Sequence, residues 1–178
     1  GLCWWPSVKG ADVLVDALEA ANHRGVSLAG LLVGEDDLRA FLADRFGAQR
    51  PGWLHDSPFV ADPGWLYAAA DVFVSASRHE GFGYSLGEAM ACGLPAIMSD
   101  IVGTRFYGAA GGVRAFASGD AAALADALAS VAVQAPQARA ALGADNATWV
   151  GDHLGIDGWC AAMLELYDEL LPVAGGRR

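Results

Sequence analysis

Short apolar runs alternate along this chain with longer stretches in which apolar residues recur every three or four positions. The first pattern predicts buried strands and the second predicts amphipathic helices. Leu2 to Trp5 predicts a strand. After Pro6 to Gly10, residues Val13, Leu14, Ala17, Leu18 and Ala21 share one helical face, and Gly25 closes that helix. Val26 to Val33 contains a buried strand that stops at Gly34, and Asp36 and Asp37 then favour a helix start running to about Gly47. Gly52 to His55 predicts a short strand, Pro63 to Ala70 a short helix, and Asp71 to Ser75 a clear buried strand. A glycine-rich turn leads into a helix ending near Cys92, and a Gly93-Leu94-Pro95 turn enters the strand Ala96 to Met98. Gly112 to Phe116 predicts the last strand, followed by helices at Asp120 to Val133, Ala135 to about Val150, and Ile156 to Leu171.

Strand–helix alternation with near-continuous apolar strands predicts an α/β fold with a parallel sheet covered on both faces. Right-handed crossovers make it a doubly wound, Rossmann-like sheet, whose ligands bind at the carboxyl ends of the strands. No linker divides the chain, so residues 1–178 are read as one domain. The chain opens on Gly1 and enters an apolar segment almost at once, so it is expected to be one lobe of a longer protein.

Composition narrows the function. The 178 residues carry 11 Lys+Arg and 21 Asp+Glu, a formal net charge of −10. That excludes a general nucleic-acid binder, which needs a basic face, and disfavours attraction to anionic membranes. With 54% hydrophobic residues the chain has ample apolar area for a core. No run approaches the roughly 20 apolar residues of a transmembrane helix. Cys3, Cys92 and Cys160 form no Cys-x-x-Cys pair, and reduced, cytoplasmic thiols are the expectation. The six tryptophans are expected mostly in the core.

The chemistry concentrates between Ser77 and Pro95. Here the chain leaves a strand end, turns through Gly81-Phe82-Gly83-Tyr84 and opens a helix. Free amides at a helix N-terminus attract phosphate, and the glycines let a ligand approach the backbone. The dinucleotide fingerprint is absent, because its last glycine falls on Leu86, and no Gly-Lys-Ser/Thr follows for a P-loop. Glu80 and Glu88 flank the turn. A carboxylate beside a phosphate cradle is repelled by the phosphate, so each is best used as an acceptor for ligand hydroxyls. Two acceptors separated by a phosphate cradle suit a nucleotide-sugar. The plainer readings are a Ser85-x-x-Glu88 capping box and a surface ion pair of Glu80 with Arg78 or His79. Lys9 reads equally as an ordinary solvated lysine, and Phe82 and Tyr84 as packing or as sugar-stacking rings.

The Glu-x7-Glu segment, with Glu-Gly-Phe-Gly and Glu-Ala-Met-Ala-Cys-Gly-Leu-Pro, resembles the donor half of retaining GT-B glycosyltransferases, which include sucrose synthase. Val8 to Leu14, Leu31 to Gly34, Leu66 to Val74 and Leu166 to Leu170 resemble further segments of that family, in the same order. The resemblance implies that Glu80 contacts the donor sugar, Glu88 the ribose, Lys9 the diphosphate, and the Gly81 to Tyr84 turn the phosphate and sugar. It implies a hexosyl-type transfer from a nucleoside diphosphate sugar to an acceptor hydroxyl. No metal or other cofactor is expected, since Lys9, the only lysine, and the helix dipole do the neutralising. The partners implied are the nucleotide-sugar and an acceptor-binding N-terminal lobe absent from this chain, with weak self-association and little transfer by the domain alone. The sequence departs from the family at Trp4, where an arginine is usual, and at Val102 to Phe106, where Gly-Gly-x-x-Glu is usual. A sugar-nucleotide epimerase and a degenerate binding module remain the alternatives.

Overall fold

The computed structural model describes residues 2–3 and 5–171. Six parallel strands alternate with helices in two three-stranded sheets. The first holds β1 (Leu2–Cys3), β2 (Gly30–Gly34) and β3 (Leu54–Ser57) in that order, with Leu2 opposite Val33 and Gly30 opposite Leu54. The second holds β4 (Phe73–Ser75), β5 (Ala96–Asp100) and β6 (Val113–Ala117), with Phe73 opposite Ala96 and Ala96 opposite Val113. Within each sheet, neighbouring strands follow one another in chain order.

Alternate residues of β5 show how the layers are built. Ile97 points into a core with α2 (Ala11–His23) and α6 (Ala121–Ala132), through Leu14, Leu18, Leu124 and Leu128. Leu32 of β2 and Leu54 of β3 join this core, so it runs beneath both sheets. Ala96 and Met98 point the other way, onto Leu86, Ala89 and Met90 of α5 (Tyr84–Ala91). A strand presents successive side chains to opposite faces, so apolar residues at every position require a helix layer on each side. On the α5 side, α7 (Pro136–Leu154) is pinned where Asn146 Nδ2 donates to the Leu94 carbonyl at 2.8 Å.

The predicted elements are present with small shifts at their ends. Three features depart from the sequence reading. Pro6 to Gly10 is no plain loop: α1 (Pro6–Lys9) is a one-turn helix, with proline at its start and Gly10 as a left-handed C-cap. The segment after β5 forms a 3₁₀ turn, Arg105–Ala109, that carries buried Tyr107 inward. The tryptophans are not core residues: Trp5, Trp65 and Trp159 are exposed, Trp53 and Trp149 half-buried, and Trp4 lies outside the described residues. Trp5 and Trp65 sit at the starts of short helices, and Trp159 lies on α8 (Ile156–Leu170), which buries none of its residues. The remaining helices are α3 (Asp36–Phe46) and α4 (Gly64–Ala68).

Candidate functional site

The carboxyl end of β4 meets the α1–α2 corner, and glycine is what allows it. Gly10 has φ +67°, and a Cβ there would collide with the Ala76 carbonyl just past β4. Contact at that point lets the Arg78 amide donate to the Val8 carbonyl at 2.8 Å. The Arg78 guanidinium then donates to both Asp12 oxygens, at 2.8 and 2.7 Å, and to the Ser7 carbonyl at 2.7 Å. This fork–carboxylate pairing holds the Asp12 carboxyl below the usual carboxylate range.

The clamp delivers Lys9 to Glu80. Lys9 Nζ donates to Glu80 Oε1 at 2.7 Å, and Ser77 Oγ donates to the same oxygen at 2.8 Å. The Glu80 side chain is 12% exposed and Lys9 25%, so neither is an ordinary surface residue. A relay of buried hydroxyls supports the pair: Ser99 Oγ donates to the Ser77 carbonyl, and Thr104 Oγ1 to the Ser99 carbonyl at 2.7 Å. The loop after β5 closes on this strand end, since a Cβ on Gly103 would collide with the Glu80 carbonyl.

Gly83, at φ +77°, caps α5 without any side-chain hydrogen bond. The amides of Leu86 and Gly87 return to the Gly83 carbonyl, which leaves those of Tyr84 and Ser85 without a protein partner among the described residues. Glu88 lies five positions into α5. Its Oε2 accepts from the Tyr67 hydroxyl at 2.9 Å, so the capping box read from Ser85-x-x-Glu88 does not form. An apolar cavity of about 280 Å³ is lined by Glu88, Tyr67, Phe59, Val33 and Val74. Among the described residues, Glu80 Oε2 and Glu88 Oε1 have no hydrogen-bond partner. Each carboxylate is therefore tied by one oxygen and open at the other.

Rings cluster beside the glycine turn. Phe82 is half-buried, 5.3 Å from Tyr84 and 5.5 Å from Tyr107 between centroids, while Tyr84 is 76% exposed. The Tyr107 hydroxyl lies in the niche that Gly87 leaves open, buried and without a hydrogen-bond partner. Burial, aided by the nearby Tyr84, Glu80 and Glu88, pushes that phenol up to about 12. No group of three or more His, Cys, Asp or Glu residues able to hold a metal occurs among the described residues. His55 and His79 are exposed, and His153 stacks on Trp149 at 4.4 Å.

A family model described as Glycosyl transferases group 1 matches residues 1–133. The chain belongs to that family. Relatives of this glycosyltransferase chain include the O-antigen chain mannosyltransferase B of Escherichia coli, 41% identical over 86 residues, which are 47% of this chain and 22% of the relative. They also include a GDP-mannose-dependent α-(1-6)-phosphatidylinositol dimannoside mannosyltransferase of Mycobacterium tuberculosis, 39% identical over 95 residues, 51% of this chain and 24% of the relative. Anabaena HepE, solved in complex with UDP and glucose, has the same fold: the TM-score is 0.71 at 22% identity, over 89% of this chain and 45% of that one. These matches span about a quarter of the two relatives and just under half of the solved structure. The fold is that of GT-B glycosyltransferases. No helix among the described residues is long and apolar enough to cross a membrane.

Of the residues singled out from sequence, Lys9, Glu80 and the Gly81 to Tyr84 turn gather at one place, with Glu88 one helical turn further on. Sequence reasoning missed the supports: Tyr67, Ser77, Arg78 with Asp12, and Tyr107. Tyr67 lies 21 positions before Glu88, a separation that carries no periodic signal of the pairing. The hydroxyl relay is likewise made of single residues that no spacing links.

Proposed function

We propose that this chain binds the nucleotide-sugar donor of a retaining hexosyltransferase, without a metal ion. The observation that carries the reading is the pair of half-tethered carboxylates on either side of a helix N-terminus that has no side-chain cap. Glu80 Oε2 accepts hydroxyls of the sugar, and Glu88 Oε1 accepts hydroxyls of the ribose. Between them, the Tyr84 and Ser85 amides and the positive end of α5 receive the diphosphate. Lys9 moves from Glu80 Oε1 to a phosphate oxygen, or bridges both. Breaking the sugar–phosphate bond leaves the electron pair, and with it a second negative charge, on the terminal phosphate of the departing diphosphate, and preorganised amides with a cation lower that barrier. The apolar cavity beside Glu88 takes a face of the base.

GDP-mannose is the donor this reading favours, since one relative is named for its dependence on that compound and the other is a mannosyltransferase. Transfer to an acceptor hydroxyl needs a second, acceptor-binding part, so this chain alone binds donor and transfers little. The test is a thermal-shift screen with GDP-mannose, UDP-glucose, ADP-glucose and the free diphosphates, each with EDTA and with Mg²⁺. Binding of a ligand at about 100 times its Kd adds roughly 2.7 kcal/mol of stability. GDP-mannose and GDP are expected to give the largest shifts, equal in EDTA and Mg²⁺. A flat response to every nucleotide at millimolar concentration defeats the reading, and a shift seen only with Mg²⁺ defeats its metal-free part.

A further inference from the structure

Glu88 is an exposed residue between buried neighbours of α5, and an exposed glutamate ordinarily samples several rotamers. Here one oxygen is fixed by Tyr67, whose ring is itself held. Tyr67 is 8% exposed, it packs edge-on against Phe73 at 6.0 Å and 70°, and its amide donates to the Pro63 carbonyl. Burial first, and the Glu88 carboxylate second, push the Tyr67 phenol well above its ordinary range. It therefore remains a hydrogen donor wherever Glu88 is ionised.

We propose that Tyr67 is a positioning residue for ribose recognition: it ties Glu88 Oε2 so that Oε1 stands ready for the ribose hydroxyls at the cavity rim. The proposal rests on the donor-site reading and names a residue that the reading itself does not use. The alternative is a buried phenol that merely satisfies its own hydroxyl. The two differ in what they predict for ligands. A positioning role makes the loss on mutation depend on the ribose hydroxyl, whereas a structural role lowers affinity for every nucleotide alike.

The experiment is calorimetric titration of the wild type, Tyr67→Phe, Glu88→Asp and Glu88→Gln with GDP and with 2′-deoxy-GDP. Tyr67→Phe keeps the ring and its contact with Phe73. Glu88→Asp keeps the charge but is one methylene too short to reach Tyr67, and it serves should the tyrosine variant fold poorly. The wild type is expected to prefer GDP over the deoxy form. Both Tyr67→Phe and Glu88→Asp should weaken GDP roughly fivefold to twentyfold and shrink that preference towards unity, with the deoxy form little affected. Unchanged GDP affinity in Tyr67→Phe, or an equal loss for both nucleotides, overturns the proposal. If Glu88→Gln loses GDP while Tyr67→Phe does not, the donor-site reading stands and only the positioning role falls. A wild type that binds neither GDP here, nor UDP titrated beside it, sinks both.

Discussion

Replacing Gly10 by alanine tests whether the α1–α2 corner depends on close backbone contact. Two costs combine. The left-handed conformation at φ +67° is unfavourable for an L-residue by roughly 1–2 kcal/mol. The new Cβ also collides with the Ala76 carbonyl, a backbone atom that no rotamer change can move aside. Relief requires lifting the corner away from the segment after β4, which strains the Arg78 amide bond to Val8 and the Arg78 side-chain bond to Ser7. Each such bond is worth about 0.5–1.5 kcal/mol net, so a total near 3 kcal/mol is expected. For a chain of this size that lowers Tm by roughly 6–12 °C. Differential scanning calorimetry of Gly10→Ala beside Gly52→Ala measures it, since Gly52 has nothing within 4 Å of its missing Cβ. The control should melt within about 2 °C of wild type. If Gly10→Ala melts as the control does, the close packing of this corner is not what seats Lys9.

Gly81 has open space where its Cβ would be, so Gly81→Ala should leave Tm unchanged or slightly raised while weakening GDP about tenfold, a split that titration and melting read separately. Asp12 has a depressed folded pKa because of Arg78, so its contribution is present above the unfolded value near 3.9 and is lost as pH falls through the folded value. Urea midpoints of wild type and Asp12→Asn should therefore differ at pH 7 and 5 and converge below about pH 4; a gap constant down to pH 2.5 refutes this assignment.

The order of elements was legible because their periods differ. Ile97 and its neighbours are apolar at every position, as a strand covered on both faces must be, while Leu14 and Leu18 keep a helical repeat. The phosphate-type turn was legible from Gly81 and Gly83 between a strand and a helix. What the sequence hid was long-range pairing. Arg78 reads as a neighbour of Glu80, yet its guanidinium turns to Asp12 and leaves Glu80 to Lys9 and Ser77. Glu88 fits a capping box by spacing, but Gly83 already starts the helix, and the carboxylate reaches Tyr67 instead. The tryptophans misled because a large apolar ring implies burial only on average.

The central claim is that Lys9 and the α5 N-terminus receive a nucleoside diphosphate. Titration of GDP in EDTA into wild type and Lys9→Met tests it most directly. A lost charge-assisted hydrogen bond is worth roughly 1.5–3 kcal/mol, so the wild type should bind and the variant should bind at least about tenfold more weakly. Equal affinity for the two proteins, or no binding by the wild type at millimolar GDP, contradicts the account.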